Sequence, residues 1–365
     1  MPFTELMNSQ NSLTPTMEIP IIRTFEICTS IFLSLPIMST PDKQQVFSIN
    51  STDDFDQTTL QIFRHQAKNC SVYRQFISGL RVDADKITSV EQIPFLPIEF
   101  FKSQQILSTD APVELTFTSS GTTGMVTSSH LVSDKTWYED SFRNAFQLFY
   151  GDIRDYTVLA LLPSYLEREG SSLIYMVDDL IKQSENPDSG FFLYNHDELY
   201  QQLQKQQEAK RPTLLIGVTF GLLDFIETYQ INFPELIVME TGGMKGRRKE
   251  MIREELHDTL CKGFGVSHIH SEYGMTELLS QAYSKGDGIF ECPPWMKIII
   301  RDTNDPISTL AKGKTGGINV IDLANINSCS FIATQDLGKI NTDGAFEVLG
   351  RFDQSDIRGC NLLIA

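Results

Sequence analysis

The stretch Leu115-Thr116-Phe117-Thr118-Ser119-Ser120-Gly121-Thr122-Thr123-Gly124-Met125-Val126-Thr127 carries a short apolar run directly into hydroxyls and glycines. It reads as a strand entering a phosphate-cradling loop. Gly121 and Gly124 permit backbone conformations closed to other residues, so successive N–H groups can converge on an anion. The five hydroxyls from Thr118 to Thr123 add rotatable donors. The common nucleotide P-loop needs a lysine directly after its last glycine, whereas Met125 follows Gly124. Standing alone, such a cluster is more often an ordinary polar turn.

It does not stand alone. Downstream lie Ser271-Glu272-Tyr273-Gly274-Met275-Thr276-Glu277, Phe331-Ile332-Ala333-Thr334-Gln335-Asp336, and Gly350-Arg351-Phe352-Asp353 followed by Ile357-Arg358-Gly359. These blocks, in this order, resemble the adenylate-forming enzymes: acyl-CoA synthetases, luciferases and nonribosomal adenylation domains. The chain is more similar still to the LuxE-like acyl-protein synthetases of bacterial fatty-acid reductase, in Ile93-Pro94-Phe95-Leu96-Pro97-Ile98-Glu99-Phe100-Phe101-Lys102 and in Cys360. The resemblance spans roughly residues 55 to 362. It implies an α/β fold of the adenylate-forming large-domain type: parallel strands with helices on both faces plus a small β-rich subdomain, the carboxyl-terminal small domain being absent. The expected division is a poorly ordered leader over 1–50 and one adenylating domain over 51–362, split into 51–290 and 291–362.

Composition agrees with a large folded unit. At 365 residues the chain can bury about three quarters of the surface its unfolded form exposes. A net charge of −17 argues against a broad nucleic-acid surface, which needs clustered lysine and arginine. Cys28, Cys70, Cys261, Cys292, Cys329 and Cys360 form no CxxC pair, so neither a zinc site nor a disulfide framework is suggested. Reduced thiols in a cytoplasm fit best, and no uncharged apolar run reaches the ~18 residues of a membrane span.

Residues 1 to 50 carry few charges and one apolar patch, Ile27 to Leu35. That patch sits late and abuts Glu26, which weakens a signal-peptide reading, and Met38 is a candidate second start. Helical spacing of apolar residues runs from Asp53 to Leu80. Pro94 and Pro97 then exclude a continuous helix, so Ile93 to Lys102 is expected as an extended brace leading to the loop. An amphipathic helix is expected over His130 to Phe149, with Trp137, Phe142, Phe146 and Phe149 as core or as the wall of an acyl pocket.

Apolar runs at Tyr156 to Leu162, Thr213 to Val218, Glu235 to Met239 and Val266 to His270 alternate with helical patterns at Phe220 to Tyr229 and Arg247 to Leu260. That alternation predicts a parallel sheet covered on both faces, with ligands beyond the carboxyl ends of its strands. Short β-like runs beyond Pro293 predict a small antiparallel or barrel-like subdomain packed on it.

The resemblance implies the chemistry. A carboxylic acid becomes a good acyl donor when AMP is made its leaving group, so ATP, Mg²⁺ and the acid must be held in line. Ser119, Ser120, Gly121, Thr122, Thr123 and Gly124, with Thr118, would hold the β- and γ-phosphates. Glu277 would bind Mg²⁺, Thr276 the α-phosphate, and Tyr273 with Gly274 would lie near the adenine alongside Gly242 and Gly243. Asp336 would take the ribose and Arg351 the ribose or phosphate. Each has a plain alternative: a first-turn helix carboxylate for Glu277, a turn residue or ion-pair partner for Asp336 and Arg351.

Two departures qualify the match. The block Gly350 to Gly359 is one residue shorter than the family's hinge motif, and the chain stops at Ala365 where most relatives continue into a domain bearing a catalytic lysine. Lys245 is the nearest basic residue in sequence to the expected nucleotide site. With no domain to shape a CoA site, Cys360 is the expected acyl acceptor, as the corresponding cysteine is in LuxE-like proteins, and Arg358 or Arg351 would favour its thiolate. The expected activity is ATP-dependent activation of a fatty acid and transfer to that thiol, with an acyl reductase or acyltransferase as protein partner. A shortened acyl- or aryl-CoA ligase and a non-catalytic adenylate-binding subunit are the alternatives.

Overall fold

A computed structural model of the chain describes residues 40–119, 127–163, 170–242 and 251–351. Within it the elements follow in chain order as α1 (Lys43–Phe47), α2 (Thr52–Asn69), α3 (Ser71–Gly79), β1 (Leu96–Pro97), α4 (Phe100–Ser103), β2 (Leu115–Thr118), β3 (Ser129–Val132) and α5 (Thr136–Tyr150). An alternating region continues with β4 (Thr157–Leu161), α6 (Ser172–Gln183), β5 (Gly190–Phe192), α7 (His196–Ala209), β6 (Thr213–Val218), α8 (Thr219–Thr228), β7 (Ile237–Thr241) and α9 (Arg253–Phe264). The last strands are β8 (His270–Tyr273), β9 (Ala282–Ser284), β10 (Ile289–Glu291), β11 (Met296–Arg301), β12 (Gly316–Asp322), β13 (Phe331–Ile340) and β14 (Phe346–Arg351).

Strands β5, β4, β6, β7 and β8 lie parallel in that order, joined by helices. Successive residues of these strands point to opposite faces, and both faces are apolar. Val158, Ala160, Leu214, Ile216 and Met239 join a core with α5 and α6, while Leu159, Leu161, Leu215 and Val238 join another with α7, α8 and α9. This is why the strands read as unbroken apolar runs. Trp137, Phe142 and Phe146 of α5 are buried in the first core.

The antiparallel strands expected beyond Pro293 are present and are joined edge to edge with the parallel ones. They extend the same sheet in the order β8, β9, β10, β14, β13, β12, β11. Three strands separate β8 from β13 in that order, yet the Tyr273 hydroxyl of β8 reaches Asp336 Oδ2 of β13 at 2.8 Å. The sheet therefore curls back on itself, with the Tyr273 ring inside the curl against Phe290 and Phe346.

The brace is seated by β1, which pairs in parallel with β13 through Leu96 opposite Ile332, before the chain turns into α4. The expected leader boundary at residue 50 is too late. Asp42 caps α1 by accepting from Gln45 N at 2.9 Å, Val46 is fully buried, and Phe47 sets its ring edge-on to Trp295. The expected helix from His130 also begins too early: 129–132 is strand β3, with His130 and Val132 turned inward opposite β2. Asp134 accepts from Thr136 N at 2.9 Å in the turn that separates β3 from α5. The strand expected over Val266 to His270 starts only at His270, because α9 ends at Gly265 with φ +67 and the connecting residues anchor Val266 and Ile269 in the second core.

Candidate functional site

Strand β2 delivers Thr118 and Ser119 to the start of the glycine-rich loop, and β3 receives the chain on its return. Ser119 N donates to Ser128 O at 3.1 Å and Ser128 N donates to Ser119 Oγ at 2.8 Å, closing the neck of the loop. Thr118 N is held by Gly170 O at 2.8 Å. Ser120, Gly121, Thr122, Thr123 and Gly124 lie outside the described residues, as do Gly243, Lys245, Arg358, Cys360 and the leader up to residue 39.

Glu277 faces this neck. It is 5% exposed, and burial raises its pKa against the opposing pull of a hydrogen bond from Ser128 and the charges of Arg351 and Lys102. A buried carboxylate with a hydroxyl partner beside a phosphate loop suits Mg²⁺, which keeps several waters and is commonly bound by one or two carboxylates plus substrate phosphates. No cluster of three or more His, Cys, Asp or Glu able to hold a metal occurs among the described residues. Among the described residues Glu277 would hold such an ion, which would supply charge neutralisation for bound phosphates.

Asp336 and Arg351 are direct cross-strand partners on β13 and β14. Arg351 Nε donates to Asp336 Oδ1 at 3.0 Å, Tyr273 donates to Oδ2, and the Arg351 side chain remains 70% exposed. Burial and the neighbouring carboxylate push the Tyr273 phenol well above its usual pKa, so it stays a donor. The register of β7 with β8 sets Glu240 opposite Ser271. Gly242, exposed and at φ +81, follows directly on Thr241 at the carboxyl end of β7. Gly274 is packed against the Glu272 carboxyl, where a Cβ would collide. The structure thus gathers Tyr273, Asp336 and Arg351 in one hydrogen-bonded set and places Glu277 within electrostatic reach of Arg351.

Several residues with no motif support this set. His130 Nδ1 lies 2.9 Å from Thr276 O, and its Nε2 lies 3.0 Å from Asn325 Oδ1. Asp322 accepts from Leu279 N at 2.7 Å and Ser280 N at 3.1 Å. Lys102, read from sequence only as part of the brace, brings its charge to Glu277 from the end of α4. Burial works against ionisation of Glu240, yet His257, Arg253 and Ser271 hold its pKa down. Glu272 accepts from Thr241 Oγ1 at 2.6 Å, and burial raises its pKa to about 7. A buried polar side chain bonded to groups remote in sequence has no local sequence signal, which is why these were missed.

The sheet, its switch from parallel to antiparallel strands and the loop at its edge define an adenylate-forming enzyme fold. Similar architecture occurs in 2-hydroxyisobutyryl-CoA ligase with 2-HIB-AMP, at a TM-score of 0.61 and 12% identity over 86% of this chain and 72% of that one. It also occurs in ATP-bound MatB from Rhodopseudomonas palustris, at 0.50 and 18% identity over 66% of this chain. The match spans about half, 48%, of the MatB chain. The family model described as acyl-protein synthetase, LuxE, matches residues 17–145. Over 101 residues the chain is 36% identical to the long-chain-fatty-acid–luciferin-component ligase of Photorhabdus luminescens, covering 27% of this chain and 80% of that protein. The chain belongs to the LuxE acyl-protein synthetase family.

Proposed function

We propose that this protein activates a fatty acid with ATP as an acyl-adenylate and transfers the acyl group to a thiol, with Cys360 as acceptor. The observation that carries the reading is the placement of Glu277 at the neck of the Ser/Thr/Gly loop, within electrostatic reach of the Arg351–Asp336 pair. A bound magnesium ion would neutralise phosphate charge beside Glu277. The loop would hold the β- and γ-phosphates, Asp336 the ribose, and Arg351 and Thr276 the α-phosphate side.

In the first step a carboxylate oxygen attacks the α-phosphorus, the bond to the β-phosphate oxygen breaks, and pyrophosphate leaves. In the second the thiolate attacks the acyl carbon, the carbon–oxygen bond to phosphate breaks, and AMP leaves. Positioning and charge neutralisation supply most of the catalysis, since every reactant is anionic. A partner acyl reductase or acyltransferase would then consume the thioester. No helix among the described residues is long and apolar enough to cross a membrane.

ATP–pyrophosphate exchange dependent on a fatty acid tests the first step. Incubation with labelled fatty acid and MgATP tests the second: label on the protein should be released by neutral hydroxylamine and lost or converted to a resistant ester in Cys360→Ser, with exchange preserved. Hydroxylamine-sensitive label that persists in Cys360→Ser would move the acceptor to another thiol. Exchange without any protein label would mean an external acceptor such as CoA.

A further inference from the structure

Two register shifts set Asp336 apart from the regular ladder around it. Between β12 and β13 the pairing runs from Gly317 opposite Leu337 to Asn319 opposite Ala333, so the single residue Ile318 faces Thr334, Gln335 and Asp336. Between β13 and β14 it runs from Leu337 opposite Gly350 to Gly338 opposite Val348, which leaves Leu349 as the extra residue. Bulges of this kind re-aim a side chain and interrupt main-chain pairing. The interrupted ladder is closed by a side chain from the neighbouring strand. Arg301, buried at the end of β11, donates from Nη1 to Ile318 O at 2.7 Å and to Asn319 Oδ1 at 2.9 Å, and from Nη2 to Thr334 O.

The same contacts reach Asp336. Thr334 Oγ1 donates to Ile318 O at 2.9 Å and accepts from Asp336 N at 3.1 Å, so the guanidinium, the two carbonyls and the Asp336 amide form one connected set. Gln335 is tied by its Nε2 to Glu99 Oε1 at 2.6 Å. Gly317 makes room for the guanidinium, since a Cβ there would stand 2.5 Å from Arg301 Cζ. Burial lowers the Arg301 pKa, against the support of the Glu99 and Asp336 carboxylates. Burying a cation is costly, but a planar fork of donors can bridge two strands in a fixed geometry. We propose that Arg301 is a positioning residue that holds the β13 bulge in shape and so fixes the direction in which Asp336 is presented to a nucleotide ribose. This rests on the adenylation reading above.

Arg301→Met keeps an unbranched side chain and removes the fork, whereas Thr334→Val removes one hydroxyl at nearly constant shape. Both are read in fatty-acid-dependent pyrophosphate exchange with ATP and with 2′,3′-dideoxy-ATP, whose sugar offers Asp336 no hydroxyl. Wild type should prefer ATP in KM. In Arg301→Met the KM for ATP should rise about tenfold while those for dideoxy-ATP and fatty acid stay within about twofold of wild type, so the preference for ATP falls about tenfold. A merely structural role would move both nucleotides alike, and an unchanged preference in folded Arg301→Met would overturn the proposal. Should that variant fail to fold, Thr334→Val should lower the preference about threefold, and no change there would refute it. Wild-type protein that uses both nucleotides equally would take Asp336 off the ribose, and the proposal would fall with it. Absence of exchange in wild type would instead refute adenylation. The preference is then read from equilibrium binding of the two nucleotides, and a ratio that Arg301→Met leaves unchanged, or no binding at all, would overturn the proposal.

Discussion

Tyr273 and Asp336 meet through a 2.8 Å hydrogen bond although three strands lie between them in the sheet. The carboxylate that closes the curl is also the one proposed to bind ribose, so stability and nucleotide affinity should separate by substitution. Asp336→Asn keeps an acceptor for the phenol and should melt near wild type while raising the KM for ATP about tenfold or more. Asp336→Leu leaves a buried hydroxyl without a partner and should cost a further ~1–3 kcal/mol in urea denaturation. Equal ATP affinity in Asp336→Asn would remove this residue from the nucleotide site.

Glu277→Gln should lower fatty-acid-dependent pyrophosphate exchange about a hundredfold or more, since it removes a metal ligand at constant volume. Burial already disfavours the ionised form of this side chain, so thermal denaturation should show no loss of stability. Exchange at the wild-type rate would rule out the assignment.

Glu272 gives the stability a pH dependence. Its pKa is about 7 in the folded chain against an ordinary 4.5, so it binds protons more tightly when folded. Its contribution is fully present below pH 4.5 and is lost as the pH rises through about 7. In Glu272→Gln that loss should vanish, leaving the variant more stable relative to wild type at pH 8 than at pH 5 by up to about 3 kcal/mol. Urea midpoints that move in parallel with pH for both proteins would contradict this.

Gln66 is buried on α2, where its Nε2 donates to Asn325 O, Ile326 O and Ser330 Oγ and its Oε1 accepts from Ser330 N. Gln66→Leu leaves these backbone groups unpaired in a dry interior and should cost about 3 kcal/mol or more. A midpoint shift in urea of less than a third of that would show that water replaces the amide.

The parallel half of the sheet was legible in the sequence because its strands are buried on both sides. Thr213 to Val218 appears with the bounds the apolar run predicted. Strand β13 was harder: it continues through the polar residues Thr334, Gln335, Asp336 and Lys339, and Asp336 by itself could as well have been a turn residue. Asp336 is held in strand by Arg351 and Tyr273, contacts that only the tertiary fold supplies. The motifs marked where Tyr273, Glu277 and Asp336 would be, but His130, Asp322 and Asn325 bear no motif. Their partners are main-chain groups in remote segments, and any residue type can offer a carbonyl.

The long reach of those contacts has a consequence for how the protein is made. Gln66 and Ser330 are 264 residues apart, and β1 finds its partner only in β13. At about 5–20 residues per second, the ribosome needs on the order of 13–50 s to supply the strand that covers α2. Throughout that interval Ile62, Phe63 and Leu96, all fully buried at the end, have no β13 to pack against. Nascent chains of this protein should therefore be strong clients of ribosome-associated chaperones, and should be released from them only after Phe331 has left the exit tunnel.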